Sequence, residues 1–147
     1  MFYCWVFTFL FNSFAFAQTQ EVNQAEGQIN ALTDKSGAYF KSGINALQDG
    51  MRQQAGDNFD KSLEVFLYST VNVQRNQKLS DCYNQLVETI YRIEFPSSQQ
   101  PPNIRSLSAT CGWNISNDTA DNVAKLVLTV PTTETNTNGL ITAAVTN

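Results

Sequence analysis

The sequence predicts an all-α fold: a short helical hairpin, a third long helix, a short fourth helix and a disordered C-terminal tail. Three observations carry this. Apolar residues recur at spacings of three and four from Tyr39 to Leu67, with Asp49-Gly50 interrupting the run midway. A second such run extends from Leu79 to Tyr91 and stops before Pro96, which cannot continue a helix. From Thr129 onward the chain is Thr, Asn, Gly and Ala with few charges, a composition that favours disorder or a linker.

The 147 residues suffice for one modest domain. Residues 1–17 read as a signal peptide outside it. Met1 to Phe16 is nearly all apolar, and Ala15-Phe16-Ala17 presents the small side chains that a signal peptidase requires before Gln18. The apolar run is short for a bilayer-spanning helix, so no stable membrane span remains after cleavage. No Lys or Arg precedes it, and the terminal amine alone supplies the positive charge; a retained anchor is the competing reading. No Cys follows the small residues, so no lipid attachment site is indicated. Export to the periplasm or cell envelope is the expected localisation.

Residues 18–35 form a lead-in, a helix or a flexible segment, with Val22, Ala25, Ile29 and Leu32 at helical spacing and Gly27 weakening it. The hairpin domain is placed at 36–95. Its first helix runs from Ser36 to Gln48, with the Ser36 hydroxyl as N-cap and Gly50 as the left-handed residue at the far end. Tyr39, Phe40, Gly43, Ala46 and Leu47 share its apolar face. The second helix, Met51 to Ser69, buries Met51, Ala55, Phe59, Ser62, Leu63, Phe66 and Leu67. Val71 to Asn76 connects with some strand character. Asn76 caps a third helix, Gln77 to Glu94, whose apolar face holds Leu79, Cys82, Tyr83, Leu86, Val87, Ile90 and Tyr91. Residues 96–128 comprise a Pro-rich extended strap, from Pro96 to Thr110, and a short helix from Asp118 to Leu128, capped by Asp118 or Ser116. Residues 129–147 are the disordered tail or a linker.

Composition excludes several functions. There are 13 acidic against 9 basic residues, and the basic ones are scattered, so nucleic acid is not an expected partner. The chain contains no His, which removes the commonest metal ligand and the commonest neutral-pH base. No metal or cofactor site is expected. Cys4 leaves with the signal segment; Cys82 and Cys111 then form an even pair in an exported chain and read as one disulfide, with two separate thiols as the alternative. The carboxylate pairs Asp57/Asp60 and Glu88/Glu94 lie on solvated faces, without the burial or like charge that raises a pKa for acid catalysis. Asn114-Ile115-Ser116 and Asn117-Asp118-Thr119 have the form of glycosylation sequons, and read as chance matches in an Asn- and Thr-rich stretch. The residues singled out for partner contact are Tyr83, Tyr91 and Trp113. The tyrosines sit beside core positions with their hydroxyls at the edge. Trp113 divides between covering the disulfide and meeting a partner.

Tyr39, Gly43, Gly50, Ala55 and Phe59 resemble the pattern of a tetratricopeptide-type repeat, in which small residues let two antiparallel helices touch and large ones plug the gap. Ser42, Ala46 and Ser62 depart from that pattern. With one clear repeat no solenoid can form. More narrowly, Ala38-Tyr39-Phe40-Lys41-Ser42-Gly43, Phe59-Asp60-Lys61-Ser62, Asn84-Gln85-Leu86-Val87-Glu88 and Ile90-Tyr91-Arg92-Ile93-Glu94 resemble the N-terminal, non-catalytic region of membrane-bound lytic murein transglycosylase D proteins, over roughly residues 36–128. There a signal peptide and a short helical region precede a lysozyme-like catalytic domain. The resemblance implies a role near peptidoglycan or a cell-wall protein. The Glu-Ser dipeptide of the family's catalytic domain does not occur here, so no catalytic residue is carried over. The expected function is therefore a non-catalytic, extracytoplasmic interaction module associated with peptidoglycan turnover. The alternatives are a fragment of a lytic transglycosylase whose catalytic domain lies beyond residue 147, or an independent secreted structural protein.

Overall fold

A computed structural model describes residues 14–96 and 100–129. The described residues are all-helical: α1 (Phe14–Gln48), α2 (Arg52–Leu67), a 3₁₀ turn (Val73–Arg75), α3 (Gln77–Glu94), α4 (Ile104–Cys111) and α5 (Asn117–Thr129). Residues 1–13 of the expected signal segment and the tail beyond Thr129 lie outside the described residues.

The expected break before Ser36 does not occur. The lead-in and the first hairpin helix form one helix of 35 residues, and Ser36 lies in its interior, fully buried. Instead of capping, its hydroxyl meets that of Ser62 on α2 at 2.9 Å, and the Ser62 hydroxyl donates to the Ser36 carbonyl at 2.9 Å. A side chain with one short polar arm lets the two backbones come close while leaving no buried polar atom unpartnered. Local capping propensity loses to this pairing because it could satisfy only one backbone N–H.

The hairpin turn follows expectation. Gly50 adopts φ 77°, the left-handed conformation that ends α1, and Met51 N donates to the Ala46 carbonyl at 2.8 Å. Ala55, Phe59, Ser62 and Phe66 of α2 are buried, with Phe59 and Ser62 meeting α1. A Cβ on Gly43 would lie 2.5 Å from the Phe59 ring, so the bare glycine backbone is what admits that ring. Met51 and Leu67, expected in the core, are instead 44% and 61% exposed. Met51 is the residue before α2 and Leu67 its last, so each lies at an end of the buried stripe from Ala55 to Phe66.

The connector between α2 and α3 is a 3₁₀ turn rather than strand-like. Asn72 and Asn76 explain it: each side chain accepts a backbone N–H three residues on, from Arg75 and Leu79 respectively. α3 then buries Leu79, Cys82, Leu86, Thr89, Ile90 and Ile93.

The Pro-rich segment is not wholly extended. It contains α4, which starts after Asn103, whose side chain accepts from Ser106 N at 3.0 Å, and ends at Gly112 with φ 73°. Ile104, Leu107, Ser108 and Cys111 form its buried face, at spacings of three, one and three. α5 covers the expected fourth helix with Ser116 as the cap, its hydroxyl accepting from Thr119 N at 3.1 Å. An exposed Arg105–Asp121 ion pair at 2.7 Å links α4 to α5, a contact worth at most about 1 kcal/mol in solvent.

Cys82 and Cys111 are bonded, tying α3 to the end of α4. Beside the bond, Gln85 accepts from the Thr110 hydroxyl at 2.6 Å and donates to Ser106. The bond closes a separation of 29 residues, for which chain entropy predicts about 3–4 kcal/mol of stabilisation. Replacing Cys82 and Cys111 by alanine is expected to lower the urea midpoint accordingly, and unfolded, unreduced chain beginning at Gln18, and so without Cys4, should show no labelled thiol. An unchanged midpoint would reject the structural role of the bond.

Candidate interaction surface on the third helix

The periodicity of α3 produces two adjoining stripes. Leu79, Cys82, Leu86, Ile90 and Ile93 face the core. Tyr83, Val87, Tyr91 and Phe95 follow one another at a spacing of four. Each step of four advances about 40° around a helix, so the row drifts away from the core as it climbs. Tyr83 begins at the core margin, half-buried, with its ring edge-on to Phe66 at 5.7 Å. Val87 is 40% exposed, and Tyr91 and Phe95 are 61% and 62% exposed. The last two rings lie against each other with centroids 5.1 Å apart. Two large rings in mutual contact but open to water form an apolar patch with no covering element among the described residues.

Charged groups border the row. Arg92 pairs with Glu88 one turn earlier and also donates to the Pro101 carbonyl at 3.2 Å, which holds Pro101 beside α3. Glu94 approaches α2 at Gly56, where a Cβ would lie 4.0 Å from its carboxylate. Partial burial there, and then the negative charge of Asp60, raise its pKa above the usual 4.5.

The sequence pairs Asp57 with Asp60 and Glu88 with Glu94 by spacing along each helix. The structure groups these residues differently: Glu88 is bound by Arg92, and Asp60 of α2 faces Glu94 of α3, so the expectation that neither burial nor a like charge acts on these carboxylates is corrected at Glu94. A carboxyl group whose folded pKa is raised opposes folding once ionised. The opposition is absent below the unfolded value and grows as pH rises through the folded value. Glu94→Gln is therefore expected to raise the melting temperature at pH 7 and to leave it unchanged near pH 3. Thermal scans of both proteins at the two pH values test this; an equal shift at both would assign the effect to something other than ionisation.

Of the residues singled out from sequence for partner contact, Tyr83 and Tyr91 lie on this row. Trp113 does not. It is 8% exposed, packed against Phe40 at 5.4 Å between centroids, and its indole N–H donates to the Thr33 carbonyl at 2.8 Å. A Cβ on Gly37 would lie 2.6 Å from the indole nitrogen, so α1 receives the ring on bare backbone. Partner contact through Trp113 is thereby corrected to a core role, because the ring and its only donor are both used internally. Phe95 escaped sequence reading. Its signal was present as the fourth member of the row, masked by the adjacent Pro96.

Comparison with known protein families, with curated proteins and with solved structures finds no match.

Proposed function

We propose that this chain is a non-catalytic helical interaction module of the cell envelope, associated with peptidoglycan turnover, and that it contacts its partner through the Tyr83–Val87–Tyr91–Phe95 row. The observation that carries the interaction role is the exposed Tyr91–Phe95 ring pair on a helix whose opposite face is locked by a disulfide and a filled core. Aromatic faces held on a rigid element suit contact with sugar rings or an apolar protein surface, because little conformational entropy is lost on binding. The envelope setting rests on the signal-like N-terminus and on the resemblance to the non-catalytic region of lytic transglycosylase D proteins. The non-catalytic reading is supported by the carboxylates: Glu88 is ion-paired, and Asp60 and Glu94 sit on open helix surfaces rather than in a cleft around a glycosidic bond.

The test uses exported protein beginning at Gln18 with purified sacculi. Co-sedimentation is expected, without release of anhydro-muropeptides. Tyr91→Ala with Phe95→Ala should reduce the bound fraction several-fold while leaving the far-ultraviolet circular dichroism unchanged. Steady product release that vanishes on replacing one carboxylate would overturn the non-catalytic reading. Sedimentation indifferent to the two ring substitutions would remove the row from the interface.

A further inference from the structure

A second surface, on α1 and α2, has a different chemistry. Lys35 and Tyr39 of α1 face Lys61, Val65 and Tyr68 across a shallow groove of about 210 Å³. Lys35, Val65 and Tyr68 also border an adjoining hollow of about 390 Å³ that continues past Leu32 and Val71 to Gln28. Residues 28, 32, 35 and 39 lie on one side of α1 and span about 16 Å at 1.5 Å per residue. Tyr68 stands at the rim, 81% exposed.

The charges in this groove are unusual for the chain. The molecule carries a net charge of −4, yet two lysines and one carboxylate, Glu64, line this stretch. Among the described residues the ion pairs are Arg92–Glu88 and Arg105–Asp121, so neither Lys35 nor Lys61 forms an ion pair there, and the two ammonium groups outnumber the one carboxylate, Glu64, that shares their groove. Both lysines are exposed, and between and beyond them the wall is aliphatic: Leu32, Val65 and Val71. Ammonium groups at one end select carboxylates, and the aliphatic wall selects small apolar side chains over sugar hydroxyls.

We propose that this groove binds a short extended peptide in which one carboxylate side chain is followed by small apolar ones. A length of about 16 Å accommodates roughly five residues in extended form. One carboxylate pairs with Lys35 and Lys61 beside Tyr39, and the apolar side chains lie along Leu32, Val65 and Val71 under the Tyr68 ring. This site is built from α1 and α2, apart from the α3 row, and it stands or falls independently of sacculus binding.

The experiment titrates full-length mature protein with an acetylated, amidated glutamate–alanine–valine–alanine–alanine peptide and with its glutamine counterpart, followed by amide chemical shifts. The acidic peptide is expected to move resonances of residues 28–39 and 61–71, and the glutamine peptide to bind far more weakly. Lys35→Gln with Lys61→Gln should weaken the acidic peptide roughly ten-fold at low salt, and added salt should do the same to wild type. Equal binding of the two peptides, shifts confined to other residues, or no binding at millimolar peptide would each overturn the proposal. So would tighter binding of a carboxylated oligosaccharide, such as an oligogalacturonate, at the same residues. Unchanged melting of the double lysine variant confirms that any loss is a loss of binding.

Discussion

Phe59→Ala is expected to destabilise the chain by about 3–5 kcal/mol. Phe59 is 1% exposed, and its ring lies over Gly43 and beside Phe40, with the Phe40–Phe59 centroids 5.5 Å apart. Removing it takes away the burial of a full aromatic side chain and leaves a cavity between α1 and α2 that two helices joined by a tight turn cannot easily close. Chemical denaturation should show a lower midpoint with an unchanged slope. Gly43→Ala supplies the sharper test. In the wild type the new methyl meets the Phe59 ring at a distance no real contact tolerates, and the cost should be about 1–3 kcal/mol. In the Phe59→Ala background the same methyl enters vacated space and gains helix propensity, so its effect should reverse sign. Two additive effects would mean that glycine and ring do not form one packing unit.

Trp113→Ala is expected to cost a similar amount, about 3–5 kcal/mol, by a different route. The indole closes a chain of rings from Phe59 through Phe40, and it joins the turn after α4 to the middle of α1. Its N–H is satisfied by Thr33, so Trp113→Phe should keep most of the packing and forfeit about 1 kcal/mol for the hydrogen bond. Within residues 18–147 Trp113 is the sole tryptophan, and fluorescence of the mature chain reports on this contact alone. A blue-shifted emission that moves red in step with unfolding is the expected signal. A red emission in the folded protein would place the ring in water and restore it as a contact residue.

The hairpin was legible because its signals are local and agree with one another. Gly50 at a helix end, Asn76 before a helix, and Ala55 and Phe59 one turn apart each state their role through spacing alone. The disulfide was legible for a different reason, since only two cysteines follow residue 17 and they allow a single pairing. α4 was missed although Asn103, Ile104, Leu107 and Cys111 announce it, because three prolines upstream drew the whole segment into one extended reading. The candidate surface was half legible. Tyr83 and Tyr91 stood out as aromatic residues at helical spacing, but which of them faces water depends on how far the row has drifted from the core by that turn.

By itself the sequence determined the all-helical class, the hairpin turn, the N-cap of α3 and that only two cysteines after residue 17 could pair. Each of these depends on residues within a few positions of one another, or on a count. Tertiary structure alone decided four things. Ser36 became a buried partner of Ser62 instead of a cap, and Trp113, divided by sequence between covering the disulfide and meeting a partner, packs on Phe40 and Gly37 of α1. Asp60 was set opposite Glu94 in place of its neighbours along the helix, and Lys35 was set across a groove from Lys61. In every case the residue meets a partner at least 26 positions away. Such meetings are governed by the crossing of whole helices, where burying Phe40, Phe59 and Trp113 outweighs the preference of any single polar side chain.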